Sequence, residues 1–164
     1  MEKSNNLYMN FSVPKFTLRA IIFFLLLVWC LGIISSLLIS SPTLSAISHP
    51  ILKRLYGTVC HQIEAKTFSI NGHRFFVCAR CTGIYFGAFI FSFISLFIFP
   101  KMDFGLKLLY ISMWPMALDV FFTWIGLYNY IKYLAFGTGI FFGSVVFIYI
   151  LAAIENNFIN KILK

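Results

Sequence analysis

Cysteine and histidine residues are concentrated in one segment of this 164-residue chain. Cys60-His61 is followed by His73 and then by the pair Cys78-x-x-Cys81. Thiolates and imidazoles are the ligands that zinc prefers, usually four of them in a tetrahedron. A C-x-x-C pair that caps the start of a helix can direct both of its sulfurs to one ion. The spacing therefore predicts a zinc site within residues 60–81.

Three cysteines and one histidine are the predicted zinc ligands. Cys60, Cys78 and Cys81 supply three of them, and either His61 or His73 supplies the fourth. Neighbouring side chains point in different directions in an extended chain, so Cys60 and His61 can bind one ion only where the chain turns. His73 reaches the cysteines more easily. The residues themselves leave both histidines open.

The chain that must position these ligands is too apolar for a soluble domain. Hydrophobic residues make up 60% of it and charged residues 11%, whereas an ordinary soluble domain has about 25% charged residues. A soluble fold of this size would leave much of that apolar surface in water. The net charge of +8 comes from basic residues that flank apolar runs, as in membrane proteins. No basic stripe with aromatic platforms is visible, so nucleic acid is not an expected partner.

Four apolar runs are long enough to cross a bilayer core, which takes about 20 helical residues. They are residues 20–39, 82–99, 106–127 and 131–154. The sequence thus predicts a single membrane domain over residues 1–164, an all-α four-transmembrane-helix bundle with a Cys/His-rich loop at 40–81. Within that loop, residues 44–59 predict a helix lying in the membrane interface. Asn71-Gly72 predicts a tight turn between short extended segments at 66–70 and 73–77.

The basic residues favour one orientation in the membrane. Lys3, Lys15 and Arg19 precede the first run, and Lys and Arg near the first span usually mark its cytoplasmic side. An even number of spans places both termini on the same side. We therefore expect a multi-pass protein of the cell (inner) membrane with both termini in the cytoplasm, although the basic residues of the loop nearly balance the count.

One acidic residue falls inside a predicted span. Asp119 lies in the third run, where an unpaired carboxylate costs several kcal/mol, so a functional role is the default expectation. It is expected on the loop side of the bilayer, where it would pair with Arg80 or Lys132, accept a hydrogen bond from a ligating histidine, or bind the metal directly. Asp119 and Arg80 are thus candidate catalytic residues beside the zinc site, where a metal-activated water would attack a lipid-borne or small-molecule substrate. A structural hydrogen bond between helices is the alternative.

Glycine pairs predict close helix packing in the same region. They are Gly83-x-x-x-Gly87 and Gly139-x-x-x-Gly143, in the spacing that lets membrane helices approach each other. They belong to the second and fourth predicted spans. Both spans are therefore expected to pack closely against neighbours, which would draw Asp119 and the cysteine pair toward one bundle.

Two motifs resemble those of a known family of small prokaryotic membrane proteins of unknown function. They are Cys60-His61-Gln62 and Cys78-Ala79-Arg80-Cys81-Thr82-Gly83-Ile84-Tyr85-Phe86-Gly87, and the resemblance covers about residues 45–145. The family's motif includes the position of His61 and not that of His73. The resemblance therefore favours His61 as the fourth ligand and keeps His73 as the alternative. The resemblance implies the location of the site. It implies no reaction, because the family's function is unknown.

A redox role competes with metal binding at the same cysteines. A C-x-x-C pair at a helix N-terminus, next to Arg80, has a lowered thiol pKa. Four-helix membrane enzymes that pass electrons from thiols to a quinone have this outline, but they need a second cysteine pair, and only Cys60 and the span residue Cys30 are left. Thr82 after Cys81 excludes a c-type haem. A thiol–disulfide oxidoreductase and a non-catalytic membrane subunit thus stand as alternatives to the zinc protein.

Overall fold

The computed structural model describes residues 13–39, 42–70, 72–97 and 107–162. Lys3, Asn71 and the predicted span ends at 98–99 and 106 lie outside these residues. The elements, in chain order, are α1 (Val13–Leu38), α2 (Pro42–Gly57), β1 (Thr67–Ile70), β2 (His73–Cys78), α3 (Ala79–Phe97), α4 (Lys107–Trp124) and α5 (Lys132–Ile162). A single 3-10 turn, Glu64–Lys66, precedes β1.

Three of the described helices are long and apolar enough to cross a membrane. They are the segments Lys15–Leu38 of α1, Ala79–Phe97 of α3 and Lys132–Glu155 of α5. They agree with the first, second and fourth predicted spans. The third predicted span forms a helix as well, α4, which is not among the three.

Helix α4 ends at Trp124, before the predicted end at residue 127, because a glycine terminates it. Gly126 has a φ of 75°, a left-handed conformation that glycine adopts without steric cost. The amide of Leu127 donates to the carbonyl of Phe122 at 3.0 Å, and that of Gly126 donates to Thr123 at 3.3 Å. This pair of bonds is a Schellman motif, which closes a helix C-terminus.

Helices α3 and α5 pack against each other in parallel, through four glycines that we call the glycine seam. A Cβ atom added at Gly139 would lie 2.5 Å from the Arg80 carbonyl oxygen, and one added at Gly143 would lie 2.1 Å from that of Ile84. The contact therefore advances in the same direction along both helices. Both helices begin at the same end of the bundle. The members of the seam are Gly83, Gly87, Gly139 and Gly143.

Helix α1 runs antiparallel to α3. Arg19, near the start of α1, donates from Nη1 to the carbonyl of Ser95 at 2.8 Å, whereas Cys30, further along, donates from Sγ to that of Tyr85 at 3.6 Å. Arg19 also forms an ion pair with Glu155 of α5, Nε to Oε1 2.5 Å. This buried pair ties α1 to α5 at the end of the bundle where α3 finishes.

Helix α4 returns the chain toward the end where α3 and α5 begin. Asp119, near the C-terminus of α4, forms an ion pair with Arg80 in the first turn of α3. Because the late part of one helix meets the early part of the other, α4 is antiparallel to α3. The four long helices thus alternate in direction along the chain.

Helix α2 and the β1–β2 hairpin cover that end of the bundle. Tyr56 of α2 is buried with Ile33 of α1 and with Phe76 and Val77 of β2. Its hydroxyl donates to the carbonyl of Trp29 at 2.8 Å. This small core fixes the hairpin, and therefore the start of α3, against the end of α1.

The predicted interfacial helix and tight turn both have counterparts in the structure. Helix α2 covers most of residues 44–59, and it leaves an apolar stripe of Ile47, Ile51 and Leu55 exposed. Such a stripe, with Lys53 and Arg54 beside it, is typical of a helix that lies on a membrane surface. Gly72, between the strands, has a φ of 81°, the conformation that a tight hairpin turn needs.

Candidate metal centre

Three cysteine sulfurs meet where α2, the hairpin and α3 come together. Cys60 lies in the connection after α2, Cys78 ends β2, and Cys81 is in the first turn of α3. Their Sγ atoms all lie within 4.8 Å of one another, and those of Cys78 and Cys81 are 3.4 Å apart. In the hairpin, Cys78 lies opposite Thr67. The strand register shifts between Thr67 and Ser69, and such an irregularity changes the local direction of a strand.

Backbone amides converge on the sulfur of Cys60. The amide of Cys78 donates to it at 3.3 Å and that of Gln62 at 3.5 Å. Gln62 has a φ of 50°, so the chain turns sharply after His61. The side-chain amide of Gln62 donates to the Lys53 carbonyl at 2.8 Å, which ties this turn to α2. Cys60 is therefore held as a buried hydrogen-bond acceptor, as a metal-bound thiolate would be.

The sulfur of Cys78 is stabilised in its ionised form. A hydrogen bond from the Cys81 thiol is the largest cause that lowers the pKa of Cys78, and the Arg80 guanidinium acts in the same direction. Burial opposes them. Because thiolates bind metals and attack disulfides, a lowered pKa suits either chemistry.

The three sulfurs are close enough together to bind one metal ion. In a tetrahedral zinc site, Zn–S bonds of about 2.3 Å place two sulfurs about 3.8 Å apart. The sulfurs of Cys78 and Cys81 are 3.4 Å apart, and all three pairs lie within 4.8 Å. Thiolate donors suit zinc, copper(I) and iron, so the sulfur group could hold an ion of any of these metals.

Neither candidate histidine belongs to this sulfur group. His61 is exposed, in the turn beside Cys60. His73 begins β2, at the opposite end of that strand from Cys78, and lines a separate cavity with His49 and Phe76. Among the residues that the structure describes, no histidine or carboxylate joins the three sulfurs. The identity of the fourth ligand stays a prediction.

Cys30 lies apart from the other cysteines. It is buried in α1, and its thiol contacts the backbone of Tyr85. The sequence predicts a packing role for this residue. The structure places it outside the sulfur group, so it serves as a control in the experiments below.

Arg80 and Asp119 form a buried ion pair beside the sulfur group. Arg80 Nη2 donates to one carboxylate oxygen of Asp119 and the Tyr128 hydroxyl to the other. The side chain of Asp119 is only 2% exposed. Lys132, the other partner considered for Asp119, instead donates to the Thr67 carbonyl at 2.8 Å. The sequence analysis did not identify Tyr128 as a partner of Asp119.

Tyr130 is a second residue that the sequence interpretation missed. The guanidinium carbon of Arg80 lies 5.8 Å from the centre of its ring, and the Lys66 ammonium lies 5.3 Å from it. Burial is the main cause that raises the pKa of Tyr130 to about 12. The enrichment of tyrosine at the ends of membrane helices is the signal that could have drawn attention to it.

The fold and the site together define a class: a helical membrane protein with a cysteine cluster at one end of its bundle. The model of the family described as "Predicted membrane protein (DUF2085)" matches residues 60–149, which is more than half of the chain. The chain belongs to this family. The match begins at Cys60 and includes Cys78, Cys81, Asp119 and the glycine seam.

Two archaeal proteins are similar to this chain. An uncharacterized protein of Methanocaldococcus jannaschii is 40% identical over 103 residues, which cover 61% of this chain and 66% of the relative. An uncharacterized protein of Methanothermobacter thermautotrophicus is 52% identical over 42 residues, 26% of this chain and 37% of the relative. The chain thus aligns with just under two thirds of the first relative and about a third of the second. No solved structure matches it.

Proposed function

We propose that this membrane protein binds one zinc ion at the membrane surface through Cys60, Cys78 and Cys81. The convergence of the three sulfurs within 4.8 Å carries the proposal. Two amides that donate to Cys60 support it, since thiolate ligands are usually held by such hydrogen bonds. The nearby Arg80–Asp119 pair gives the site a charged, polar side within the bundle.

The fourth ligand decides what such a site does. His61 adjoins Cys60 and stands in a turn, so rotation of that turn would close a structural Cys₃His site. A water in the fourth position would instead leave the site open, and a bound zinc then supplies a water of lowered pKa. In that case Arg80 and Asp119 would position a lipid-borne or small-molecule substrate beside it.

Metal and thiol analysis tests the zinc proposal. We expect about one zinc per chain and slowly reacting thiols when the full chain is purified in detergent without a chelator. Replacing Cys60, Cys78 or Cys81 by serine should abolish stoichiometric zinc, because two sulfurs hold the ion too weakly. Cys30→Ser is the matched control and should keep it. Metal-free wild-type protein, or equal zinc in all four variants, would contradict the proposal.

A thiol–disulfide oxidoreductase is the second candidate, favoured by the 3.4 Å separation of Cys78 and Cys81. Oxidation would join the two sulfurs and release two protons and two electrons to a quinone-type acceptor. Metal-free protein with a reducible Cys78–Cys81 disulfide, located by alkylation before and after reduction, would support this role. Serine variants that keep every measurable property would leave a non-catalytic membrane subunit.

We propose further that α4 is the fourth crossing of the cell membrane and that both termini are cytoplasmic. Parallel α3 and α5 require the chain to return between them, and α4 is antiparallel to α3. Its 18 residues span about 27 Å at 1.5 Å per residue. That length is close to the hydrocarbon thickness.

Reporters at the two termini test the number of crossings. Four crossings place both ends on one side, whereas three place them on opposite sides. We expect fluorescent proteins fused before Met1 and after Lys164 to be active, and periplasmic phosphatase fusions at the same points to be inactive, in a bacterial host. Opposite results at the two ends would contradict the fourth crossing.

A further inference from the structure

Two basic side chains from distant parts of the chain lie over one tyrosine ring, and a third binds a neighbouring carbonyl. The Lys66 ammonium lies 5.3 Å from the centre of the Tyr130 ring, and the Arg80 guanidinium lies 5.8 Å from it. Lys132 donates to the carbonyl of Thr67, the neighbour of Lys66, at 2.8 Å. We call Lys66, Arg80 and Lys132, together with Tyr130, the basic cluster. It lies at the end of the bundle where α3 and α5 both begin.

All three of these cations have hydrogen-bond donors that the protein leaves unused. The Nε of Arg80 is buried and has no hydrogen-bond partner, which is costly for a charged donor. Within the described ranges, Lys66 contacts the Tyr130 ring and donates to no oxygen. Lys132 uses one of its three ammonium donors on Thr67. An acceptor of several hydrogen bonds would satisfy all three.

The region around the basic cluster also carries an excess of positive charge. Asp119 is the carboxylate that contacts the basic cluster, and Arg80 and Tyr128 already hold both of its oxygens. Glu64, close to Lys66 in the chain, pairs instead with Arg74 at 2.5 Å. A zinc ion on three thiolates would contribute one net negative charge. Positive charge remains in excess after all of these are counted.

We propose that the basic cluster binds a phosphate group. Several oxygens on one compact anion match the ammonium groups of Lys66 and Lys132 together with the free Nε of Arg80, because phosphate accepts many charge-assisted hydrogen bonds. The aligned N-termini of α3 and α5 favour an anion in this region. This proposal is independent of the zinc proposal, so either can be wrong while the other holds.

The surroundings favour a phosphate carried by a lipid. Trp124, Leu127 and Tyr133, which flank the connection that holds Tyr130, are 81%, 70% and 80% exposed. Exposed Trp and Tyr side chains at the ends of membrane helices, here Trp124 and Tyr133, are typical of the bilayer interface. The Tyr133 ring also contacts Phe68, next to Thr67, at 5.7 Å between centroids. An acyl chain attached to the phosphate would therefore find apolar surface close to the basic cluster.

Binding of two defined probes tests the proposal and separates the sources. Native mass spectrometry of the full chain in a neutral detergent counts bound phosphatidic acid against phosphatidylcholine, and equilibrium dialysis measures radiolabelled inorganic phosphate. We expect the Lys66→Met/Lys132→Met variant to lose about a hundredfold in affinity, since it removes two charge-assisted hydrogen bonds worth about tenfold each. Lys66→Met alone, which breaks no hydrogen bond to the protein, should lose about tenfold.

Lys53→Met/Lys107→Met is the matched control, because it removes two charges that lie outside the basic cluster. It should bind both probes as the wild type does. Phosphatidic acid bound without free phosphate identifies a lipid headgroup, and binding of both probes identifies a site for soluble phosphate. Binding of neither probe, or equal losses in the cluster and control variants, would overturn the proposal. The zinc content of each variant shows separately whether the metal proposal holds.

Discussion

Replacing Asp119 by leucine is expected to destabilise the protein by about 3–5 kcal/mol, the cost of removing one partner from a buried ion pair. Asp119 is almost fully buried, and Arg80 is largely so. Without the carboxylate, the guanidinium would be left in the bundle with no counter-charge, and the Tyr128 hydroxyl would lose its acceptor. Equilibrium unfolding in detergent measures the loss of free energy.

Two further variants identify the cause of that loss. Arg80→Met/Asp119→Leu removes both charges, so it should recover most of the stability. Glu64→Leu removes a carboxylate from the exposed pair with Arg74, and it should cost less than about 1 kcal/mol. A double variant as unstable as Asp119→Leu alone would show that the ion pair is not the source of the effect.

Gly143→Ala is expected to cost about 1–3 kcal/mol, the usual penalty for overpacking a tight contact. The added Cβ would lie 2.1 Å from the Ile84 carbonyl oxygen, a backbone atom that cannot move without its helix. Helices α3 and α5 must therefore separate. Thermal unfolding in detergent measures the change.

Gly137→Ala is the control on the same helix. Nothing lies within 4 Å of a Cβ added there, so helix propensity alone should leave the protein equally stable or up to about 1 kcal/mol more stable. Gly139→Ala connects the glycine seam to the site, since its Cβ would meet the Arg80 carbonyl at 2.5 Å. It should lower zinc content as well as stability. Equal effects at Gly137 and Gly143 would contradict this account of the seam.

Local patterns predicted much of the fold. Long apolar runs located α1, α3 and α5, and the spacing of apolar residues located α2. The ends of the helices were less certain, because backbone hydrogen bonds set them. Helix α3 begins at Ala79 rather than at Thr82, directly after the hairpin, and α4 ends early, at Trp124, because Gly126 terminates it. Only the three-dimensional structure shows those bonds.

Pairings between distant residues were beyond the sequence. Glycine spacing predicted close helix contacts, but it could not show that the second and fourth spans pack on each other and in parallel. The sequence offered Arg80 and Lys132 equally as partners of Asp119, and the position of the hairpin decided between them. The three cysteines come together as their spacing suggests, whereas neither histidine joins them. The direction of the His61 side chain depends on the turn at Gln62. The periodicity of apolar residues does not predict the conformation of such a turn.

The Arg80–Asp119 pair can form only late in the synthesis of the chain. The two residues are 39 positions apart, and chains grow at about 5–20 residues per second. Arg80 is therefore made about 2–8 seconds before its partner. The ion pair cannot form until α4 has been made almost to its C-terminus, so the charge balance at this end of the bundle is completed late.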